Sequence, residues 1–282
     1  MTPAPAGPDR VRLLDPALRF ETRARRLLQL AQGHAAGDWL RLHARIAWGQ
    51  SVAVRQIPVP SARAPGDGPP LAWGRIRRDP TWRLMLAEVL TGASTPGLPA
   101  ETLAAICLLD SVDVARLEAL ADLQLAGRTP LDELATAPFV GAALQAWFAA
   151  LAVRLEPMEA AASAGACPVC GAPPVAGIID GTTRLRFLTC GLCGAEWNVR
   201  RLTCVACDDD AQLAYFHVEG DEGAEAEACG SCRGYVKLFD LEMRAGVEPV
   251  ADDAATLALD LLMDEEGFRR IGPTPLLAVA QS

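Results

Sequence analysis

The chain has 282 residues, 51% of them apolar, and a formal net charge of −9. That length accommodates two or three domains, and that apolar content supplies a real core, which excludes a disordered chain. No run of about 18 uncharged apolar residues occurs, which excludes a membrane-spanning helix.

In chain order, the first half reads as helical. Thr22 to Ala31 and Trp39 to Val54 are the first helices, followed by a Pro/Gly-rich segment from Ile57 to Pro70 that is incompatible with regular helix. Asp79-Pro80-Thr81-Trp82 carries the capping Asp and early proline that open a helix, with Leu84, Leu86, Val89 and Leu90 as its apolar positions. Further helices are expected from Ala100 to Leu109, from Val112 to Ala126 with Gly127 as its stop, and from Phe139 to Leu155. In the second of these Val114, Leu117, Leu120 and Ala121 recur at helical spacing, a pattern of core packing. Cys107 lies in the apolar helical run Thr102 to Leu108 and reads as an inert core thiol. His34 and His43 have no partnering carboxylate pattern and read as ordinary helical residues. Arg25-Arg26 has the form of a twin-arginine export signal, but the following Leu27 to His34 stretch is too short and too polar for its hydrophobic region.

The pattern changes at Ala160 to Ala166, a small-residue stretch expected to be flexible. Val175 to Ile179, Asp180-Gly181 and Thr182 to Thr189 predict a β-hairpin with a favoured Asp-Gly turn. Trp197 to Leu202 is expected as a third strand and Gln212 to Val218 as a fourth. The acidic stretch Glu219 to Glu227 predicts a surface loop or ragged hairpin, Tyr235 to Leu241 a closing strand, and Asp252 to Met263 a final helix opened by Asp252-Asp253.

Eight of the nine cysteines form four Cys-x-x-Cys pairs: Cys167/Cys170, Cys190/Cys193, Cys204/Cys207 and Cys229/Cys232. Two residues between cysteines let one tight turn present both sulfurs to a single ion, so two pairs complete a tetrahedral site. Nineteen residues separate Cys170 from Cys190 and 21 separate Cys207 from Cys229, against 10 between Cys193 and Cys204. Sequential pairing is the simplest arrangement: Cys167, Cys170, Cys190 and Cys193 in one site, Cys204, Cys207, Cys229 and Cys232 in the other. Crossed pairing, first with third and second with fourth, is the alternative, because spacing alone does not fix connectivity. Gly171 and Gly194 follow the second cysteine of the first two pairs, where positive φ turns backbone N–H groups toward the sulfurs. These two pairs have the form of rubredoxin-type knuckles, whereas Asp208 and Arg233 follow the later two. His217 is a conceivable further ligand that four cysteines make unnecessary. Four thiolates close a site, as structural centres require, and suit zinc and iron alike.

A secreted disulfide framework is disfavoured without an export signal, and the free thiols point to a reducing cytoplasm. A thioredoxin-like redox protein would place one such pair in an α/β pattern. A nucleic-acid-binding zinc ribbon needs a basic face, yet residues 1–165 sum to +1 and the cysteine-bearing 166–282 to −10. Only Arg184, Arg186, Arg200 and Arg201 offer a local patch, and solvated strand faces are the simpler reading for them.

The ordered signature resembles that of the FdhE formate dehydrogenase accessory proteins. The residues that carry the likeness are Cys-Pro-Val-Cys-Gly-Ala-Pro-Pro-Val (167–175), Cys-Gly-Leu-Cys-Gly-Ala-Glu-Trp (190–197) with Arg200, then Cys204/Cys207, Cys229/Cys232 with Tyr235 and Lys237, and the run from Asp252 to Asp260. The resemblance spans the second half, and the first half agrees in length and helical character. It implies an α+β chain: a helical domain over 1–163, a rubredoxin-like or zinc-ribbon-like module over 164–203, and a second such module with a C-terminal helix over 204–282. It further implies two tetrahedral metal ions, with iron favoured over zinc. The implied protein is a cytoplasmic, non-enzymatic maturation factor that contacts the catalytic subunit of formate dehydrogenase before export, with no nucleic-acid partner and no stable membrane insertion. Glu196 and Trp197 are candidates for partner contact, with Trp197 as cover for the first site the competing reading.

Overall fold

The computed structural model describes residues 11–158, 165–274 and 276, so the small-residue stretch Ala160–Ala166 lies outside them except for Gly165 and Ala166. The chain is α+β as expected, with helices first, then a mixed sheet, then two short helices.

Helix α1 (Pro16–Leu30) starts well before the predicted Thr22. Asp15 accepts from the Leu18 N–H at 2.8 Å and Pro16 supplies a preset first turn. It packs on α2 (Gly37–Gln56), which packs on α3 (Thr81–Ala93) and on α6 (Ala137–Ala152). Between them run α4 (Ala100–Ser111) and α5 (Val114–Leu125). Helix α6 contains no charged residue, and every position except Pro138 is buried, as an all-round apolar helix must be. Asp79 serves twice: one carboxylate oxygen accepts from the Thr81 N–H at the start of α3 and the other from the Trp147 indole N–H of α6, at 2.8 and 3.0 Å. Helix α4 corrects one expectation. Cys107 is exposed rather than a core thiol, because α4 is peripheral and buries the face bearing Ala105, Ile106 and Leu109.

The sheet repeats one pattern twice. The first copy runs knuckle, β1 (Pro174–Ile179), β2 (Arg186–Cys190), knuckle, β3 (Glu196–Val199). The second runs knuckle, β4 (Leu213–Phe216), β5 (Ala224–Cys229), knuckle, β6 (Gly234–Asp240). Strand order is β3-β2-β1-β6-β5-β4, antiparallel within each copy and parallel where β1 meets β6, in register Ala176 with Lys237 through Ile179 with Asp240. The short β7 (Arg269–Arg270) pairs with β6 beside Gly234 and Tyr235. Helices α7 (Pro249–Ala255) and α8 (Leu257–Glu265) lie between β6 and β7, and α1 lies against α7. Phe187 and Phe239 of the sheet share one apolar cluster with Leu27, Leu40, Val250 and Ala254. Among the described residues no helix is long and apolar enough to cross a membrane.

Three local expectations are corrected, and one stated alternative is decided. The Asp180-Gly181 turn is a longer loop, closed by the Asp180 N–H on the Leu185 carbonyl at 2.9 Å, with Arg184 at φ +58°. The third strand ends at Val199 because Leu202 turns to φ +56°. Of the two readings of the acidic stretch the hairpin holds: it forms the loop and second strand of the β4–β5 hairpin, with Ala224, Ala226 and Ala228 on the inward positions of β5. Asp252 and Asp253 do not cap the last helix. Glu248 caps α7 by accepting from the Ala251 N–H at 2.8 Å, both aspartates are buried within α7, and Thr256 separates α7 from α8.

Candidate metal centres

Each knuckle closes the same way. The Gly171 N–H reaches the Cys167 carbonyl at 2.8 Å, Gly194 reaches Cys190 at 3.2 Å, Asp208 reaches Cys204 at 3.0 Å and Arg233 reaches Cys229 at 2.9 Å. The four residues after the second cysteines all have positive φ: +77° at Gly171, +74° at Gly194, +60° at Asp208 and +59° at Arg233. The later knuckles therefore adopt the same turn without glycine, at the steric cost of a left-handed L-residue. Amide N–H groups point at sulfur as the turn predicts: Leu192 and Cys193 at 3.4 Å from Cys190 Sγ, and Ala206 at 3.4 Å from Cys204 Sγ.

The turns bring the thiols together in sequential pairs. Cys167, Cys170, Cys190 and Cys193 form one cluster and Cys204, Cys207, Cys229 and Cys232 the other, all sulfurs of a cluster lying within 4.8 Å of one another. Across the pairs, Cys167 and Cys193 sulfurs are 3.5 Å apart and Cys170 and Cys190 3.4 Å; in the second cluster Cys204 and Cys232 are 3.7 Å apart and Cys207 and Cys229 3.6 Å. A disulfide would require about 2.05 Å. The edge of a tetrahedron with metal–sulfur bonds of about 2.3 Å is roughly 3.8 Å, so each donor set suits one tetrahedral ion. His217 belongs to neither cluster and is exposed beyond β4.

The clusters differ in their surroundings. All four thiols of the first are buried, and the helical domain covers them. The Leu71 N–H donates to the Val169 carbonyl at 2.8 Å, the Trp73 N–H to the Cys170 carbonyl at 2.9 Å, and the Gln145 side-chain amide of α6 to the Gly191 carbonyl at 2.9 Å. Burial pushes the Cys170 and Cys193 thiols up. Cys190, against the same burial, is held low by hydrogen bonds from Cys167, Cys170 and Cys193. In the second cluster Cys204 and Cys229 are buried, Cys232 is half-buried and Cys207 is exposed. Burial raises Cys204 to about 12.

Glu196 and Trp197 are not available as partner contacts. Trp197 is wholly buried in the apolar cluster that contains the first four cysteines, and Glu196 is 7% exposed. Burial raises the Glu196 carboxyl, opposed by Arg19, 3.7 Å away, and by Arg12. Of the four arginines, Arg200 and Arg201 are exposed and Arg184 is partly so, and only Arg186 departs from the solvated reading. Arg186 is buried with Glu227, Arg184 pairs with Asp240 and Glu242, and Arg200 with Asp210.

A second constellation gathers Tyr235, Lys237, Asp253, Thr256 and Asp260 of the second-half signature around Arg270, a long-range pairing with no local signal in the sequence. Lys237, with no exposed side chain, donates to the Asp253 and Thr256 carbonyls at 2.9 and 3.0 Å and to the Asp260 carboxylate at 2.7 Å. Arg270 reaches Asp253 and Asp260 at 2.7 and 2.8 Å, and the Tyr235 hydroxyl donates to Asp260 at 2.7 Å. Tyr235, Lys237, Asp253 and Asp260 thus form one buried network that fixes α7 and α8 to β6. A concavity of about 450 Å³ opens on the sheet beside the joint of the two copies. Its lining contains no histidine, cysteine, serine or lysine, and Arg186 and Glu227 within it neutralise each other.

Three family models together match nearly the whole chain: "FdhE, N-terminal" over residues 8–164, "FdhE, central domain" over 166–201 and "FdhE, C-terminal domain" over 202–277. The chain belongs to the FdhE family. It is 39% identical over 280 residues to the Protein FdhE homolog of Pseudomonas putida, covering 92% of this chain and 87% of that one. To Protein FdhE of Salmonella newport it is 36% identical over 282 residues, covering 94% and 90%. The crystal structure of the FdhE protein from Pseudomonas aeruginosa superposes with a TM-score of 0.84 at 35% identity, over 96% of this chain and all of that one. This FdhE family member therefore shares the fold across both the helical half and the paired cysteine modules.

Proposed function

We propose that this protein is a maturation factor for respiratory formate dehydrogenase, acting in the cytoplasm by contact with the catalytic subunit before export, and that it binds one metal ion in each cluster. The observation that carries this reading is the presence, in one chain matched by all three FdhE family models, of two closed four-thiol clusters. Cys167, Cys170, Cys190 and Cys193 would hold one ion, and Cys204, Cys207, Cys229 and Cys232 the other. Four thiolates leave no position for water, which favours a rigid scaffold over hydrolytic chemistry. Iron is favoured by the family resemblance, and zinc accepts the same donors. We assign the helical unit to 1–163 and the modules to 164–203 and 204–282, with the modules and helices together presenting the surface to the immature subunit and no catalysis of their own.

Tagged full-length protein is expected to retain a formate dehydrogenase catalytic subunit from cell extract. Recovery in neither aerobic nor anaerobic extract would overturn the accessory role. Metal analysis after purification without air is expected to give two ions per chain, and folded metal-free protein would overturn the metal assignment.

A further inference from the structure

Resting on the assignment of both clusters as metal sites, we propose that the second cluster is the centre at which this protein exchanges a divalent cation with external ligands, with Cys207 as the point of entry, while the first cluster keeps its ion as long as the chain is folded.

The geometry of the two donor sets is alike, and what differs is access. Cys167, Cys170, Cys190 and Cys193 are between 0% and 3% exposed. Both of their knuckles are tied to the helical domain through Val169, Cys170 and Gly191. A ligand can reach those sulfurs only if the domain contact opens, and such opening approaches the free energy of unfolding the core. In the second cluster the hydrogen bonds come from the neighbouring loops of the same module. The Gly230 N–H reaches the Gln212 carbonyl at 2.8 Å, and the Ser231 hydroxyl reaches Asp209 at 2.7 Å in exposed surroundings. Cys207 itself faces solvent, and Asp208 and Asp209 beside it give its surroundings a negative charge that suits an arriving cation, while Asp210 is paired with Arg200.

Exchange at this edge needs no oxidant. An incoming thiolate forms a bond to the ion as the bond from Cys207 Sγ breaks. The ion keeps four thiolates and the same net charge, and the released Cys207 takes the proton that the incoming thiol gave up. Cys232, half-buried, is the next to leave, and the buried Cys204 and Cys229 follow.

The test uses full-length protein loaded with zinc and mixed with excess 4-(2-pyridylazo)resorcinol. Release is expected in two phases of one ion each, the second at least about tenfold slower because it waits on local unfolding. Cys207→Ser is expected to remove the fast phase and leave the slow ion. Brief iodoacetamide treatment of loaded wild-type protein, read by peptide mass spectrometry, needs no variant. Exposed Cys107 serves as the reference, and Cys207 then Cys232 are expected to be modified before any first-cluster cysteine. Two ions leaving at one rate, or first-cluster cysteines modified as fast as Cys207, would overturn the exchange proposal while leaving both metal sites standing. A chain that takes up no zinc would instead overturn the metal assignment on which the proposal rests.

Discussion

Arg23 of α1 holds Glu248, the cap of α7, by hydrogen bonds of 3.0 and 3.2 Å, and both side chains are almost wholly removed from water. Residues 225 positions apart thus join α1 to the start of α7. Glu248→Ala removes the cap and leaves the buried Arg23 guanidinium without a carboxylate, held by the Gln145 amide and the Phe20 ring. The expected loss is about 3–5 kcal/mol in urea denaturation, the range for breaking a buried pair from one side. Arg23→Met combined with Glu248→Ala is expected to recover part of that loss, since no uncompensated charge remains.

Lys237 tests the second buried network. Lys237→Met takes the ammonium donor from the Asp253 and Thr256 carbonyls, which keep the weaker bonds from Thr256 and Leu259, and leaves Asp260 with Arg270 and Tyr235. A destabilisation of about 3 kcal/mol is expected, together with faster hydrogen exchange in α7 and α8 than in α6. Equal acceleration in all three helices would show that the network does not act locally.

His43 gives the fold a pH dependence in the mildly acidic range. It is fully buried, and burial lowers its pKa to about 4 despite the hydrogen bond between its ring and the Trp39 carbonyl. In the unfolded chain it titrates near 6.5, so below that pH the unfolded state binds a proton that the folded state refuses. Its contribution is complete above pH 6.5 and falls by up to about 3 kcal/mol as pH approaches 4. The difference in urea midpoint between wild type and His43→Leu, followed from pH 7 to 5, is expected to shrink as pH falls.

The knuckle turns make opposite predictions for two equivalent positions. At Gly194, φ is +74° and an added Cβ would lie 3.0 Å from Arg19 Nε. Gly194→Ala is expected to cost at least about 1–2 kcal/mol and to weaken metal retention in the first cluster. Asp208→Gly at φ +60° removes the left-handed strain and is expected to change stability by less than about 1 kcal/mol. Thermal denaturation of the metal-loaded variants separates the two.

What the sequence made legible was whatever is encoded within a few residues. A Cys-x-x-Cys turn, its following glycine and an apolar uncharged run such as α6 carry their own geometry. The two aspartates at 252 and 253 show the limit: adjacent acids before an apolar run read as a cap, yet their partners Arg26, Arg244, Lys237 and Arg270 lie on other elements. Strand β5 left the acidic stretch open between loop and hairpin because alanine fills its inward positions and glutamate alternates with it, and the partner that buries Glu227, Arg186, lies on another strand. Cys107 read as core because α4 is apolar on both faces, and which face is covered depends on how α4 sits against α3. The joining of the two modules through β1 and β6 likewise leaves no local trace in either strand.

That parallel joint governs the order in which a growing chain can complete its sheet. β1 leaves the ribosome about 60 residues before β6, the only strand that covers its second edge in the described structure. During that interval Ile178 and Ile179 border an open row of backbone donors and acceptors, the kind of edge that recruits other chains. Closing it requires the second pair of knuckles to have turned the chain back. Nascent chains released short of Asp240 are therefore the ones most prone to aggregate.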